Sequence, residues 1–249
     1  MKIPMVACAA AAALLMHGTA LAVGNVAYVS QTGGEPWGMP GNVNALDDVF
    51  GAGNWNRLDF PTAVGDGLWD YDFIFMDGGD GANDQFTSFV NTHRTDMENW
   101  VDAGGSLLIN AARWSDGSDL YLGMDITLHE GASDTGTALD LTHPIFDGPY
   151  GYTGDFFDGD YLAHDWLSGD GLTELMRGDN GMPILVEKVY GGGNVIAGGL
   201  TLPFFGEHNL WSDNCDEFHR NLLAYGYEVP APGALALLAL AGCVRRRRR

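Results

Sequence analysis

Two polar side chains close short apolar runs, Asp77 after Phe73-Ile74-Phe75-Met76 and Asn110 after Ser106-Leu107-Leu108-Ile109. Arg113 follows three residues later, and His143 lies in the turn Thr142-His143-Pro144. A carboxylate, an amide, a guanidinium and an imidazole at one rim suit a small polar or sugar-like ligand. The same set would serve a hydrolase acting on a carbohydrate or amide. Ser30 and Asp80 belong to that rim as well. Polar strand ends also satisfy terminal backbone groups, so a purely structural use competes with the chemical one.

Other residues offer different chemistry. Asp77, Asp80, Asn83 and Asp84 form one oxygen-rich cluster, and Asp155, Asp158 and Asp160 form another. Hard oxygen ligands suit weak calcium binding, but neither run has EF-hand spacing. No zinc pattern of Cys and His is present, and no other cofactor is expected. Cys215 opens a helix, which lowers a thiol pKa. It nevertheless shares helical spacing with Phe218, Leu222 and Tyr225 and reads as a small buried hydrophobe. His93 reads as a core histidine, and His143 as a turn residue with a hydrogen-bonded ring. Trp37, Trp55, Trp69, Trp114, Trp166 and Trp211 fall mostly in loops or at element ends, where an exposed ring would stack on sugars and a buried one would cap the core.

The elements that must hold this rim are legible in the first half of the chain. Asn25 to Ser30 reads as a buried strand, and a helix begins near Asn42 as N-cap, with Val43, Leu46, Val49 and Phe50 on one face. Arg57 to Phe60 and Tyr71 to Met76 read as strands. A long helix carries Phe86, Phe89, Val90, His93, Met97, Trp100 and Val101, capped by Asn83 or Asp84 and stopped by Gly104-Gly105. Ser106 to Asn110 is the next strand. Strand and helix alternate, which predicts an α/β fold with a mostly parallel sheet and helices on both faces. Ligands of such sheets sit beyond the carboxyl ends of the strands.

From Asp116 to Asp179 the sequence is dense in Gly and Asp and reads as a loop-rich insertion, with short strands at Asp125 to His129 and Tyr161 to Trp166. Met182 to Tyr190 and Asn194 to Ala197, flanking Gly191-Gly192-Gly193, read as a hairpin. A last helix spans about Asp213 to Tyr225.

Both termini read as addresses. Lys2, an apolar run from Val6 to Met16 and Ala20-Leu21-Ala22 give the layout of a signal peptide, cut after Ala22 by signal peptidase. Residues 229–249 run Pro230-Ala231-Pro232, an apolar stretch from Gly233 to Val244, then five arginines. The stretch is shorter than the ~20 residues of an ordinary bilayer span, and the arginines would hold its end on the cytoplasmic side. The working domain is then 23–228, ordinary for one domain at about 200 residues. Lys2 and the tail arginines account for half of the 12 basic residues, against 33 acidic ones. That field excludes nucleic acid as a partner and favours solubility. Cys215 is the lone thiol between the two addresses, so the domain holds together without an internal disulfide.

The tail resembles a PEP-CTERM sorting signal, with Pro-Ala-Pro in place of the family's Pro-Glu-Pro. This resemblance implies recognition by an exosortase-type sorting enzyme, an inner-membrane intermediate, and final residence at the cell surface or in extracellular matrix, where extracellular polysaccharide is the expected partner. The body resembles the class I glutamine amidotransferase-like group. The resemblance is carried by Tyr71 to Met76, Trp100 to Ile109, Thr142-His143-Pro144-Ile145, Gly192 to Gly199 and Arg220 to Tyr225. It implies a flavodoxin-like three-layer fold. In catalytic members a cysteine stands on the turn after the strand matching Ser106 to Asn110, and here that turn reads Asn110-Ala111-Ala112-Arg113. Ser115 lies two residues beyond without a nucleophile-elbow sequence. Glu207-His208 falls where the family keeps its histidine and glutamate, in different order and spacing. The expectation is therefore a non-catalytic binding or structural domain, with the hydrolase as its alternative.

Overall fold

The computed structural model describes residues 25–114, 117–208 and 214–228. Elements follow in order: β1 (Val26–Ser30), α1 (Gly41–Phe50), β2 (Asn56–Asp59), β3 (Phe73–Asp77), α2 (Asn83–Asp102) and β4 (Ser106–Asn110). They continue with β5 (Leu120–Gly123), β6 (Ile126–Ala138), β7 (Asp147–Gly148), β8 (Gly151–Tyr152), β9 (Phe156–Ser168) and β10 (Thr173–Gly178). The chain finishes with β11 (Pro183–Tyr190), β12 (Gly193–Gly198), α3 (Leu202–His208) and α4 (Cys215–Glu228).

One ten-stranded sheet runs β2-β1-β3-β4-β12-β11-β10-β6-β5, with β9 paired to β6; β7 and β8 form a separate small ribbon. The first five strands pair in parallel. Beyond β12 every pairing is antiparallel. The expectation of a mostly parallel, flavodoxin-like three-layer sheet is therefore overturned. The cause is the segment read as a loop-rich insertion, which folds as β5, β6, β9 and β10 and extends the sheet. Two of these strands are 13 residues long and alternate buried with exposed positions over much of their length. A strand wet on one face needs few apolar residues, so its sequence resembles a loop.

Where the sheet is parallel, β1, β3, β4 and β12 are buried on both faces, and only the edge strand β2 is exposed. Leu46, Phe50, Phe218 and Leu222 of α1 and α4 pack on Tyr28, Phe73 and Phe75. Phe86, Phe89, Val90 and Met97 of α2 pack on the opposite side against Val29, Ile74 and Met76. The predicted N-caps shift. The residue before α1 is Pro40, and Asn42 lies within the helix, fully buried. The residue before α2 is Ala82, with no side-chain cap. His93, expected in the core, is half-exposed and pairs with Asp96 at 3.3 Å. Cys215 is buried in the apolar cluster with Phe157 and Phe218, and burial pushes its thiol up to about 12, so it behaves as a hydrophobe. Among the described residues no helix is long and apolar enough to cross a membrane.

Candidate functional site

Parallel register brings the ends of neighbouring strands level, and Asp77 stands directly beside Asn110. Both are buried. Asp77 accepts hydrogen bonds from Asn42 Nδ2 at 2.8 Å, Asn110 Nδ2 at 3.4 Å and Gly79 N at 2.8 Å. Asn110 also clasps the Leu200 backbone, donating to its carbonyl at 2.7 Å and accepting from its N–H at 3.1 Å. The network reaches further: Asn42 Nδ2 lies 2.9 Å from Tyr28 Oη, which donates to Glu35 Oε2 at 2.7 Å. Burial raises the Asp77 carboxyl to about 6, with Asn42, Gly79 and Asn110 opposing. Asp77 and Asn110 are thus together, as expected, but they tie strand ends to loops and are sealed from water.

Arg113 is also buried, at 2 % exposure, and meets Asp165 of β9. Its backbone N–H donates to Asp165 Oδ2 at 2.7 Å, while Nε and Nη2 reach Oδ1 at 3.0 and 2.5 Å. Burial pushes the Asp165 carboxyl up, and the guanidinium opposes this. Arg113 is therefore a strut between the two halves of the sheet. His143 lies elsewhere, its Nε2 3.6 Å from Glu187 and its ring 4.6 Å from the Tyr225 ring, with its Nδ1 accepting from Ile145 N as a turn residue does.

What faces solvent at this end of the sheet is aromatic. Trp37, Trp114 and Tyr161 surround the imidazole of His164 at ring-centre distances of 5.8, 4.0 and 5.9 Å. Trp114 and Tyr161 are 55 % and 46 % exposed, while His164 is 4 % exposed. Burial lowers the His164 pKa to about 4, so the ring is neutral near pH 7. Its Nδ1 has no partner among the described residues. Asp80 fixes the Trp37 backbone, accepting from its N–H at 3.1 Å. Trp37, Asp80 and Tyr161 all have positive φ, at 56°, 46° and 61°. Three non-glycine residues in this region store backbone strain at one place, as functional sites do. Gly79 is required beneath, because a Cβ there would strike the Trp37 ring. Trp114 continues into an open groove of ≈ 880 Å³ walled by α2 and by the residues leading into β5.

The remaining predicted residues scatter. Asp155, Asp158 and Asp160 are exposed along the start of β9, and Asp84 lies in the first turn of α2. Among the described residues no three acidic, imidazole or thiol groups converge on a point that could hold a metal ion. Trp55 and Trp69 are packed against the core. Ser115, Trp211, Ala20, Ala22, Pro230 and Pro232 lie outside the described residues, as do the side chains of Glu207 and His208. Sequence reasoning missed His164 and Asp165. The signal was two adjacent polar residues inside the apolar run Leu162 to Leu167, an arrangement that costs stability unless each finds a partner.

No family model matches this chain, and no curated protein does. Among solved structures it is similar to a cytoplasmic protein of Salmonella typhimurium, at 16 % identity and TM-score 0.52, over 83 % of this chain and 99 % of that one. It is also similar to a protein of Thermoplasma acidophilum proposed to be part of a GMP synthase, at 10 % identity and TM-score 0.51, over 82 % of this chain and 94 % of the other. A beta-galactosidase of Bacillus circulans sp. alkalophilus aligns at 13 % identity and TM-score 0.48, over 82 % of this chain but 31 % of its own length. At these identities the first two likenesses concern the fold alone, and the third carries no argument about activity.

Proposed function

We propose that this chain is an exported binding domain that engages carbohydrate through the Trp114–Tyr161 face. The observation that carries this reading is a pair of exposed aromatic rings, Trp114 and the positive-φ Tyr161, set over a neutral, buried histidine. A sugar ring offers an apolar C–H face and a rim of hydroxyls. Aromatic faces take the first, and the polar groups of the adjoining groove take the second. The acidic balance argues against polyanionic ligands and leaves neutral polysaccharide as the fitting class. A hydrolase built on Asp77, Asn110, Arg113 and His143 is the weaker reading, because Asp77 is sealed and His143 lies apart.

Binding to a panel of neutral glycans, followed by tryptophan fluorescence, tests this. Trp114→Ala is expected to weaken binding about tenfold, equivalent to ~1.4 kcal/mol. Unchanged affinity, or no binding to any glycan, would overturn the reading.

The termini complete the proposal. Signal peptidase removes residues 1–22, and an exosortase-type enzyme processes 229–249 and releases the domain at the cell surface or into extracellular matrix. Replacing Pro230 and Pro232 together with Ala is expected to leave an uncleaved, membrane-held chain; a mature mass with the tail still removed would refute the motif's role. Weak calcium binding at Asp155, Asp158 and Asp160 is no part of this reading.

A further inference from the structure

On the antiparallel half of the sheet, three side chains form one hydrogen-bonded line. His129 lies on β6, Ser168 ends β9, and Asp119 immediately precedes β5. Leu128 pairs with both Leu120 and Leu167, so Asp119, His129 and Trp166 come level across the sheet, and Ser168 lies one diagonal away on the same face. Asp119 Oδ1 is 2.7 Å from His129 Nδ1, and Ser168 Oγ is 2.7 Å from His129 Nε2. Trp166 stacks on the imidazole at 4.0 Å and 19°. Gly131 leaves room for that indole, since a Cβ there would lie 2.8 Å from it.

We propose that Ser168, His129 and Asp119 form a serine ester-hydrolase site whose substrate is a neutral carboxylic ester. The carboxylate holds the proton on Nδ1, which leaves the Nε2 lone pair to accept the Ser168 hydroxyl proton. Burial does not demand this line, because the Asp119 side chain is 62 % exposed. Water would satisfy these groups as well, yet the imidazole is fixed on three sides by Asp119, Ser168 and Trp166. Gly169 then turns the chain so close to the Asp125 carbonyl that a Cβ would collide with it, which fixes the serine at the mouth of a turn.

In the reaction Ser168 Oγ attacks the ester carbonyl carbon while its proton passes to His129 Nε2. The bond from that carbon to the alcohol oxygen breaks, and Nε2 returns the proton to the departing alcohol. Water then attacks the acyl-serine, gives its proton to Nε2 and forms the free acid, and the proton goes back to Ser168. Asp119 positions the imidazole. The net charge of −21 disfavours an anionic acyl group. Asp119 lines the same groove as Trp114, so an acyl group borne on a sugar hydroxyl fits; only this clause rests on the carbohydrate reading.

The test uses the full chain with a fluorophosphonate probe, read by intact mass, and with p-nitrophenyl acetate, which carries no sugar. One label per chain is expected on Ser168, lost in Ser168→Ala. Hydrolysis is expected to fall about 100-fold in Ser168→Ala and His129→Gln. Asp119→Asn is expected to slow labelling and to lower kcat for p-nitrophenyl acetate with KM unchanged, a split that a merely structural role would not produce. No label on the wild-type chain, or equal label on Ser168→Ala, overturns the proposal and leaves the glycan-binding reading untouched. Loss of glycan binding with labelling intact does the reverse.

Discussion

Asp165→Leu is expected to cost about 3–5 kcal/mol of folding stability in urea denaturation at pH 7, because it strands a guanidinium in the interior. Arg113 is 2 % exposed, and three of its donors converge on this one carboxylate, including the backbone N–H at 2.7 Å. Asp165 is fully buried, so little water is at hand to replace those bonds. Arg113→Met alone leaves the reverse problem, a buried carboxylate held by one backbone N–H, and is expected to cost a similar amount. The double variant Arg113→Met with Asp165→Leu is expected to recover most of the loss, since an apolar pair needs no partner. A coupling energy above about 2 kcal/mol would mark the strut. Two single variants that each cost under about 1 kcal/mol, and simply add, would show that the pair is solvated.

His219→Phe is expected to flatten the acid side of the stability curve. His219 lies on α4 at 2 % exposure, edge-on to Phe75 at 6.4 Å, and its Nε2 has no partner among the described residues. Burial, with Arg220 adding to it, lowers its pKa from 6.5 to about 3. Between those values the unfolded chain binds a proton that the folded chain refuses, so stability is lost as pH falls through that window. From pH 7 to pH 4 this amounts to about 3 kcal/mol. Asp77 acts in the opposite sense: its folded pKa of about 6 lies above the ordinary carboxylate value, so the folded chain holds the proton longer and stability rises as pH falls from 6 to 3.8. His164 works in the same direction as His219. The informative quantity is therefore the difference between wild type and His219→Phe, from urea curves at pH 7 and pH 4. Identical pH dependence in the two would mean that the imidazole is reached by water.

The parallel half of the fold was readable because β1, β3, β4 and β12 are buried on both faces, and a run such as Phe73-Ile74-Phe75-Met76 permits few other interpretations. The pairing of Asp77 with Asn110 follows from the same fact, since both end strands that lie side by side. In the antiparallel half the β11–β12 hairpin was readable from its two apolar runs around Gly191-Gly192-Gly193, whereas the extent and pairing of β5, β6, β9 and β10 were not. In Ile126 to Ala138 only alternate positions meet the core over much of the strand, and Gly131, Ser133 and Gly136 are spaced as in a loop. Two of the misplaced site residues are explained by partners that no local pattern reveals. Arg113 finds Asp165 52 positions away, and His143 finds Glu187 and Tyr225. Trp114 stood among the candidate stacking residues, but its neighbours Tyr161 and His164 depend on where β9 crosses the sheet. The Asp119–His129–Ser168 line has the same origin: it exists only in the register of β5, β6 and β9.

The sheet order also sets a sequence of events during synthesis. The strand that joins the two halves, β12, lies between β4 and β11, yet it is the last of the described strands to be made. Until residue 198 is available, β4 has an open edge and the antiparallel strands have nothing to close against. Pairing across such separations is slow compared with local helix formation. A chain emerging from its N-terminus therefore stays without its central seam until nearly the whole domain exists, an unclosed state that suits the threading through a membrane which the proposed export requires.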